Sequence, residues 1–299
     1  MIQDIAPHRL KNQYQPGKRA GAEDYVVCAR DGALLVPKEG ALRFPRYGEL
    51  VTGVAGVAPE ADVEAASFDV AALLTPDAMP YLFSVDDSDY YLVRGAIAAP
   101  AGWQYVKLRQ LRAQGNGPRA AFFAAYTAMH LATWYADNRY CGRCGHETVH
   151  SETERALVCP QCGRVIYPRL IPAIIAGVID GDRILLTKYA HRKMPFYALI
   201  AGFMEIGETL EECVAREVYE EVGLHVKNLR YYKSQPWGNV QDILAGFYCD
   251  VDGSTDIRLA RDELREAIWV PRKEVVGQTD DFSLTHDMMM TFRAGLEPR

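Results

Sequence analysis

The sequence predicts an α/β fold, a mixed sheet flanked by helices, preceded by a four-cysteine ribbon and a mainly β N-terminal domain. Three observations lead there. In the stretch GFMEIGETLEECVAREVYEEVGL, from Gly202 to Leu224, the residues Leu210, Val214, Val218 and Val222 recur every fourth position, the stripe of one amphipathic helix set among strand-like runs. Two C-x2-C pairs precede it, with fourteen residues between them. Ahead of these, short apolar runs are separated by Gly, Pro and Asp turns, the pattern of a small β domain.

With 299 residues, 49% hydrophobic and 24% charged, the chain is long enough for more than one domain and an ample core. Its apolar runs are too short to span a membrane, and MIQDIAPHRLKNQ has no apolar signal core, so the expected location is the cytoplasm. A formal charge of −6 argues against a protein whose main task is to coat nucleic acid. The predicted organisation is an N-terminal domain over 1–117, a connecting helix over 118–138, a ribbon over 139–168 and an α/β domain over 169–299.

Within 1–117 the runs Tyr25 to Ala29, Ala33 to Pro37, Tyr81 to Val85 and Tyr90 to Ala98 read as strands, and Asp86, Asp87 and Asp89 as a polar loop. Pro118 suits the first position of a helix running from Arg119 to about Asp137, with Phe122, Tyr126, Met129 and Thr133 at helical spacing. His130 within it reads as a packed, hydrogen-bonded side chain. Of seven cysteines, Cys141, Cys144, Cys159 and Cys162 sit beside glycine or proline turns that let four thiolates face one ion. Four sulfurs leave Zn²⁺ no open position, so the zinc is expected to be structural. Two other readings fit these residues: a disulfide pair, disfavoured in a reducing compartment, and a nucleic-acid ribbon using Arg143, Arg155 and Arg164. Cys28, Cys213 and Cys249 lack partner spacing and read as core.

From Tyr167 onward, strands are expected at Ile171 to Ile179, Arg183 to Tyr189, Tyr197 to Gly202, Leu229 to Ser234, Leu244 to Val251 and Ala267 to Val270, with a last helix from about Leu284 to Ala294. The central helix should start at Thr209, paired with Glu212 in a capping box, and stop at Gly223. Glu217, Glu220 and Glu221 crowd one side of it. Like charges at i, i+3 and i+4 repel. A solvated acidic face is one reading; the other is a hard cation, Mg²⁺ or Mn²⁺, held by oxygen ligands.

Here the chain resembles the Nudix hydrolases, whose signature G-x5-E-x7-R-E-U-x-E-E-x-G-U (U aliphatic) is matched at Gly202, Glu208, Arg216, Glu217, Glu220, Glu221 and Gly223. The ribbon before it and Ser234-Gln-Pro-Trp237 after it make the chain similar to the NADH pyrophosphatase family, which includes enzymes that remove NAD caps from RNA. The resemblance implies an α/β/α sandwich, a homodimer, and Mg²⁺ or Mn²⁺ on Glu217, Glu221, Glu263 and the carbonyl of Ala201, with Glu220 in support. Glu221, Glu220 and Glu217 form the expected catalytic set, with Glu221 a candidate base acting directly or through the metal, and Glu266 is a nearby alternative to Glu263. Arg216 and Glu208 should pair to hold the turn. Phe203, Tyr167, Trp237 and Gln235 match substrate-binding positions, Tyr167 coming from the partner subunit. The implied reaction cuts the pyrophosphate of NADH or NAD⁺ into nicotinamide mononucleotide and AMP, with NAD-capped RNA as the larger variant. One departure stands out: the family's S-Q-P-W-P-F-P-x-S is SQPWGNVQD here, Ser234 to Asp242, which frees the backbone where proline would restrain it. Thr285 is a second, looser departure. ADP-ribose or another nucleoside diphosphate derivative is therefore the alternative substrate, and a non-catalytic nucleotide- or RNA-binding regulator the alternative class.

Overall fold

The structure, a computed structural model, describes residues 1–54, 70–76, 78–191 and 196–299. The chain divides into two compact units: Asp4–Arg169 with Gly238–Val240, and Met1–Gln3 with Leu170–Trp237 and Gln241–Arg299. Among the described residues no helix is long and apolar enough to cross a membrane.

The first unit carries β1 (Leu10–Lys11), β2 (Tyr25–Arg30), β3 (Ala33–Pro37), α1 (Tyr47–Val54), α2 (Val70–Leu73), β4 (Tyr81–Val85), β5 (Ser88–Val93) and β6 (Trp103–Lys107). The strands lie in the order β1-β4-β5-β2-β3-β6, with β2 parallel to β5. Val26, Cys28, Leu35, Tyr81, Tyr91 and Val93 form its core. The run read as a strand from Tyr90 to Ala98 ends at Val93. Asp86 sits in the β4–β5 turn, where its carboxylate faces His8 Nδ1 at 2.7 Å and accepts from Arg9 N–H, as the polar-loop reading expects, whereas Asp89 lies in β5 and pairs with Lys18 Nζ at 2.6 Å. Next come α3 (Leu108–Gln114) and α4 (Arg119–Asp137). Pro118 stands at the N-cap of α4 with extended backbone, one position before the helix. Phe122, Tyr126 and Met129 are buried along α4, and His130 donates from Nε2 to the Arg169 carbonyl at 2.7 Å.

The ribbon is a three-stranded antiparallel sheet of β7 (Val149–His150), β8 (Leu157–Val158) and β9 (Val165–Ile166). Its two C-x2-C pairs fold alike: Gly145 N–H donates to the Cys141 carbonyl at 2.8 Å, and Gly163 N–H to the Cys159 carbonyl at 2.9 Å. Both glycines have left-handed backbone, φ 75° and 69°. A side chain would be strained there, which is why each turn carries glycine. The four sulfurs lie within 4.8 Å of one another, with Cys141–Cys162 at 3.7 Å and Cys144–Cys159 at 3.4 Å. These separations exceed a disulfide bond of ~2.05 Å and approach the ~3.8 Å sulfur spacing of a tetrahedron with zinc–sulfur bonds of ~2.3 Å. Arg143 N–H donates to Cys141 Sγ and holds that thiol below its ordinary range.

The second unit contains β10 (Ile171–Asp180), β11 (Arg183–Tyr189), β12 (Ile200–Phe203), α5 (Leu210–Val222), β13 (His225–Trp237), β14 (Asp242–Asp252), β15 (Leu264–Pro271) and α6 (Leu284–Ala294). Its sheet runs β13-β14-β10-β11-β15, with β12 paired to β10. β10 and β14 are parallel and the other pairs antiparallel, so the sheet is mixed as expected. Alternation along β10 sends Ile174, Ala176 and Val178 to one face, under Val214, Val218 and Val222 of α5. Ile175 and Ile179 face the other way, toward Leu284, Met288, Met289 and Phe292 of α6. Each such fully buried aliphatic contributes about 1.5–3 kcal/mol. Several strand bounds need correction. The strand expected from Tyr197 to Gly202 runs from Ile200 to Phe203. The strand expected from Leu229 to Ser234 runs from His225 to Trp237, with Ser234 to Trp237 in register with Asp242 to Ala245, and only Gly238 to Gln241 turn. Ala267 to Val270 is the middle of a longer strand that begins at Leu264, directly after Glu263.

Replacing Cys141 with Ser should drop bound zinc below one equivalent and lower Tm by at least about 5 °C, since ribbon folding is tied to metal binding. Zinc analysis and a melting scan on the purified variant test this; unchanged values for both would exclude a structural site.

Candidate active site

α5 is fixed at both ends by its own sequence. Thr209 Oγ1 accepts from Glu212 N–H, and Thr209 N–H donates to Glu212 Oε2 at 2.8 Å, the capping box read from the sequence. At the other end Gly223, with φ 70°, closes the helix through its N–H to the Tyr219 carbonyl. Glu217, Glu220 and Glu221 lie in its C-terminal half, whose last turn carries no basic residue. A helix C-terminus is already the negative end of the dipole, so carboxylates there are unfavourable unless a cation joins them.

Arg216 organises the surroundings. Its guanidinium donates to both oxygens of Glu208, at 2.7 and 2.9 Å, confirming the expected pair. The same group donates to Glu217 Oε1 at 2.7 Å, Glu220 Oε2 at 2.9 Å and the Phe203 carbonyl at 3.0 Å. The arginine beside it and the Glu205 N–H hold the Glu208 carboxyl at about 2, so the latch stays ionised. Glu217 lies over the Cα of Gly202, where an added Cβ would come 1.9 Å from its carboxyl carbon. Glycine is required at 202 for that approach.

Glu221 differs from its neighbours. It is 2% exposed, and its Oε2 has no hydrogen-bond partner. Burial, then the charges of Glu217 and Glu263, push its carboxyl up to about 8. Burial raises Glu217 too, against the pull of Arg216. The charge of Glu263 is felt by both Glu217 and Glu221, whereas Glu266 is engaged by Lys188 Nζ and Tyr197 Oη, each at 2.9 Å. Glu220 does not join the group: its side chain is 55% exposed and paired to Arg216. Among the described residues only the four cysteines form a group of three or more ligand atoms gathered closely enough to hold an ion as they stand. An orphaned buried carboxylate oxygen beside two more acids is still a donor set that a hard divalent cation fits.

The remaining expected positions are placed one by one. Ala201 lies in β12, in register with Ile175. Phe203, at the end of β12, is 53% exposed, and Tyr167 is 58% exposed with its hydroxyl donating to Glu154 at 3.0 Å. Trp237 is half-buried as the last residue of β13. Gln235 departs from its expected role. It is wholly buried, donates to Gln3 Oε1 and the Phe282 carbonyl, and accepts from Leu284 N–H. Its amide thus anchors the start of α6 and has no polar atom left for substrate. Sequence reading also missed the contacts of Arg216 to Glu217 and Glu220, for which the i, i+4 spacing to Glu220 was the available signal.

Two predictions follow from this geometry. Glu221 is protonated in the folded protein up to about 8, whereas the unfolded carboxyl titrates near ~4.3, so stability is lost as pH rises between those values. In zinc-loaded protein without other divalent ions, Glu221→Gln should therefore be more stable than wild type at pH 8.5, by up to about 5 kcal/mol, with the difference gone near pH 4. Denaturant titrations at the two pH values check the sign. Gly202→Ala should displace the Glu217 carboxylate and weaken Mn²⁺ binding about tenfold, while the cost in stability stays below about 2 kcal/mol. Unaltered Mn²⁺ affinity would show that Glu217 is not a ligand.

Comparison with known proteins agrees with this picture. Residues 169–290 match the NUDIX domain, and residues 136–167 match the NADH pyrophosphatase zinc ribbon domain. A protein named NAD-capped RNA hydrolase NudC from Photorhabdus laumondii subsp. laumondii is 40% identical over 192 residues, 59% of this chain and 73% of that protein. Its namesake from Shigella dysenteriae serotype 1 is 45% identical over 148 residues, 50% of this chain but only 57% of its own length. The same 57% coverage holds for the Escherichia coli K12 protein, 44% identical. Among solved structures, a Nudix hydrolase from Nitrosomonas europaea aligns with a TM-score of 0.45 and 23% identity, covering 52% of this chain and 90% of that one. With a zinc ribbon and a Nudix domain matched in succession, and a 40% identical relative matched over 73% of its length, the chain belongs to the NADH pyrophosphatase family of Nudix hydrolases.

Proposed function

We propose that this protein hydrolyses the pyrophosphate bond of NADH or NAD⁺, giving nicotinamide mononucleotide and AMP, and acts likewise on NAD-capped RNA. The observation that carries the reading is the buried, unpartnered Oε2 of Glu221 beside Glu217 and Glu263 on a helix with the complete Nudix signature. The names of the relatives, NAD-capped RNA hydrolases, support the same substrate class.

Glu217, Glu221 and Glu263, with the Ala201 carbonyl, would hold Mg²⁺ or Mn²⁺. Bound there, the cation neutralises phosphoryl charge and lowers the pKa of water at the site. The chain's own residues do the rest. Glu221 would accept the proton of the attacking water, directly or through the metal, once a bound cation has ionised its carboxyl. Water adds across the P–O–P link, which breaks into two monophosphates. Arg216 keeps Glu208 and Glu217 in place, and the exposed ring of Phe203 stacks on a base or nicotinamide. The protein works as a cytoplasmic homodimer in this reading, with Tyr167 reaching the partner's site. Exposed Tyr140, Val149, Val165 and Tyr167 on the ribbon offer an apolar face for that pairing, and the free cysteines fit a reducing compartment.

ADP-ribose is the second reading, because the SQPWGNVQD stretch departs from the family motif. At Gly238, the first residue of the altered turn, a Cβ would lie 2.1 Å from the Tyr126 carbonyl oxygen, so the packing there admits glycine and not the family's proline. The test compares kcat/KM for NADH, NAD⁺, ADP-ribose and NAD-capped RNA with Mn²⁺, identifying products by mass. NADH, NAD⁺ or capped RNA leading, with AMP-type cleavage, is the expected result; ADP-ribose leading would overturn it. Binding without metal-dependent turnover would mark a regulator.

A further inference from the structure

The segment from Arg258 to Glu263 follows no signature, yet it touches the catalytic helix at a sensitive place. The last carbonyls of a helix need partners from outside it. Here Ala260 N–H donates to the Glu221 carbonyl at 2.9 Å and Arg258 N–H to the Val222 carbonyl at 2.8 Å. The segment then turns on Ala260, whose carbonyl accepts from Glu263 N–H at 3.1 Å and Leu264 N–H at 2.8 Å, while the Glu263 carbonyl accepts from Ala190 N–H at 2.8 Å. The backbone of Glu263 is thus tied to the residue that carries Glu221. One side chain closes the strap over the helix end. Arg258 lies against Gly223, where an added Cβ would meet its Nε at 2.8 Å and its Cβ at 2.9 Å. Its Nη2 is 3.5 Å from the Gly223 carbonyl, and its guanidinium stands 5.8 Å from the Tyr219 ring. A cation at a helix C-terminus is favourable, and more so where carboxylates crowd the same end.

We propose that Arg258 is a positioning residue, which clamps the 258–263 strap onto the end of α5 and thereby holds Glu263 opposite Glu221 and Glu217. The inference rests on the metal-site reading under Proposed function. Arg258 itself is exposed and borders an open cleft with Tyr219, Glu220 and Ala260, so its removal leaves the buried core intact.

The experiment is a double-mutant cycle on the zinc-loaded full chain, reading Mn²⁺ binding by the EPR signal of free Mn²⁺ without substrate. Arg258→Ala should weaken Mn²⁺ binding about tenfold, Arg258→Lys should recover part of that loss, and zinc content and Tm should stay at wild-type values. In the Glu263→Gln background, Arg258→Ala should have no further effect, because it acts through Glu263. Wild-type affinity in Arg258→Ala, or an equal effect in both backgrounds, overturns the proposal. A drop in Tm of both Arg258 variants that accounts for the lost affinity overturns it as well. If wild-type Mn²⁺ binding is indifferent to Glu221→Gln, the metal-site reading itself fails and takes this one with it, a result distinct from the others.

Discussion

The guanidinium of Arg216 is the junction on which the candidate site depends. Its donors join three pieces of chain: the turn through Glu208, the end of β12 through the Phe203 carbonyl, and α5 itself through Glu217 and Glu220. A planar fork can do this because its donors point in fixed directions, whereas a lysine ammonium supplies a single point charge. The Glu208 end of the junction is permanent, since that carboxyl stays ionised across the physiological range. Its Glu217 end is not. Burial raises Glu217 while Arg216 pulls it the other way. Arg216 thus fixes the Glu217 carboxylate through one hydrogen bond of 2.7 Å.

This arrangement is costly for a helix. Three carboxylates near the negative end of α5, one of them 2% exposed, run against the dipole and against one another. The segment is nonetheless well built elsewhere: a capping box at its start, a left-handed glycine at its end, and Val214, Val218 and Val222 wholly buried. Local rules are obeyed wherever they secure the helix and violated only where the acids gather. A violation confined to one face of an otherwise optimised element marks function more clearly than the acids alone.

Much of this was legible in the sequence because it is local. Capping at Thr209 and Gly223, the Glu208–Arg216 pair and the two cysteine turns all depend on residues a few positions apart, where spacing translates directly into geometry. Strand ends were less legible. β13 and β14 extend beyond their apolar runs because pairing between them continues through Ser234 to Trp237, which propensity does not encode. In the first unit α1 contains Gly48 and Gly53, both poor helix formers, so its helical state reflects packing of Leu50 and not the local sequence. Gln235 was misread for a related reason: its three partners, Gln3, Phe282 and Leu284, are distant in the chain. Glu263 and Glu266 could be told apart only by tertiary contact, since Lys188 and Tyr197 reach the second.

The four sulfurs and the glutamates around α5 also differ in how far the fold gathers them. The four sulfurs are drawn together by two glycine turns and by N–H groups that face them, so the ribbon presents a nearly complete tetrahedron. Thiols can approach as neutral groups and ionise as metal enters, so assembling them beforehand carries little electrostatic penalty. The glutamates must be charged to bind a hard cation, and charged carboxylates cannot be gathered in advance. The fold instead puts Glu217 and Glu220 on Arg216, Glu221 in a pocket that favours its proton, and Glu263 on a backbone strap. The sulfurs are thus gathered by one short stretch of backbone, whereas the acids are held by separate means.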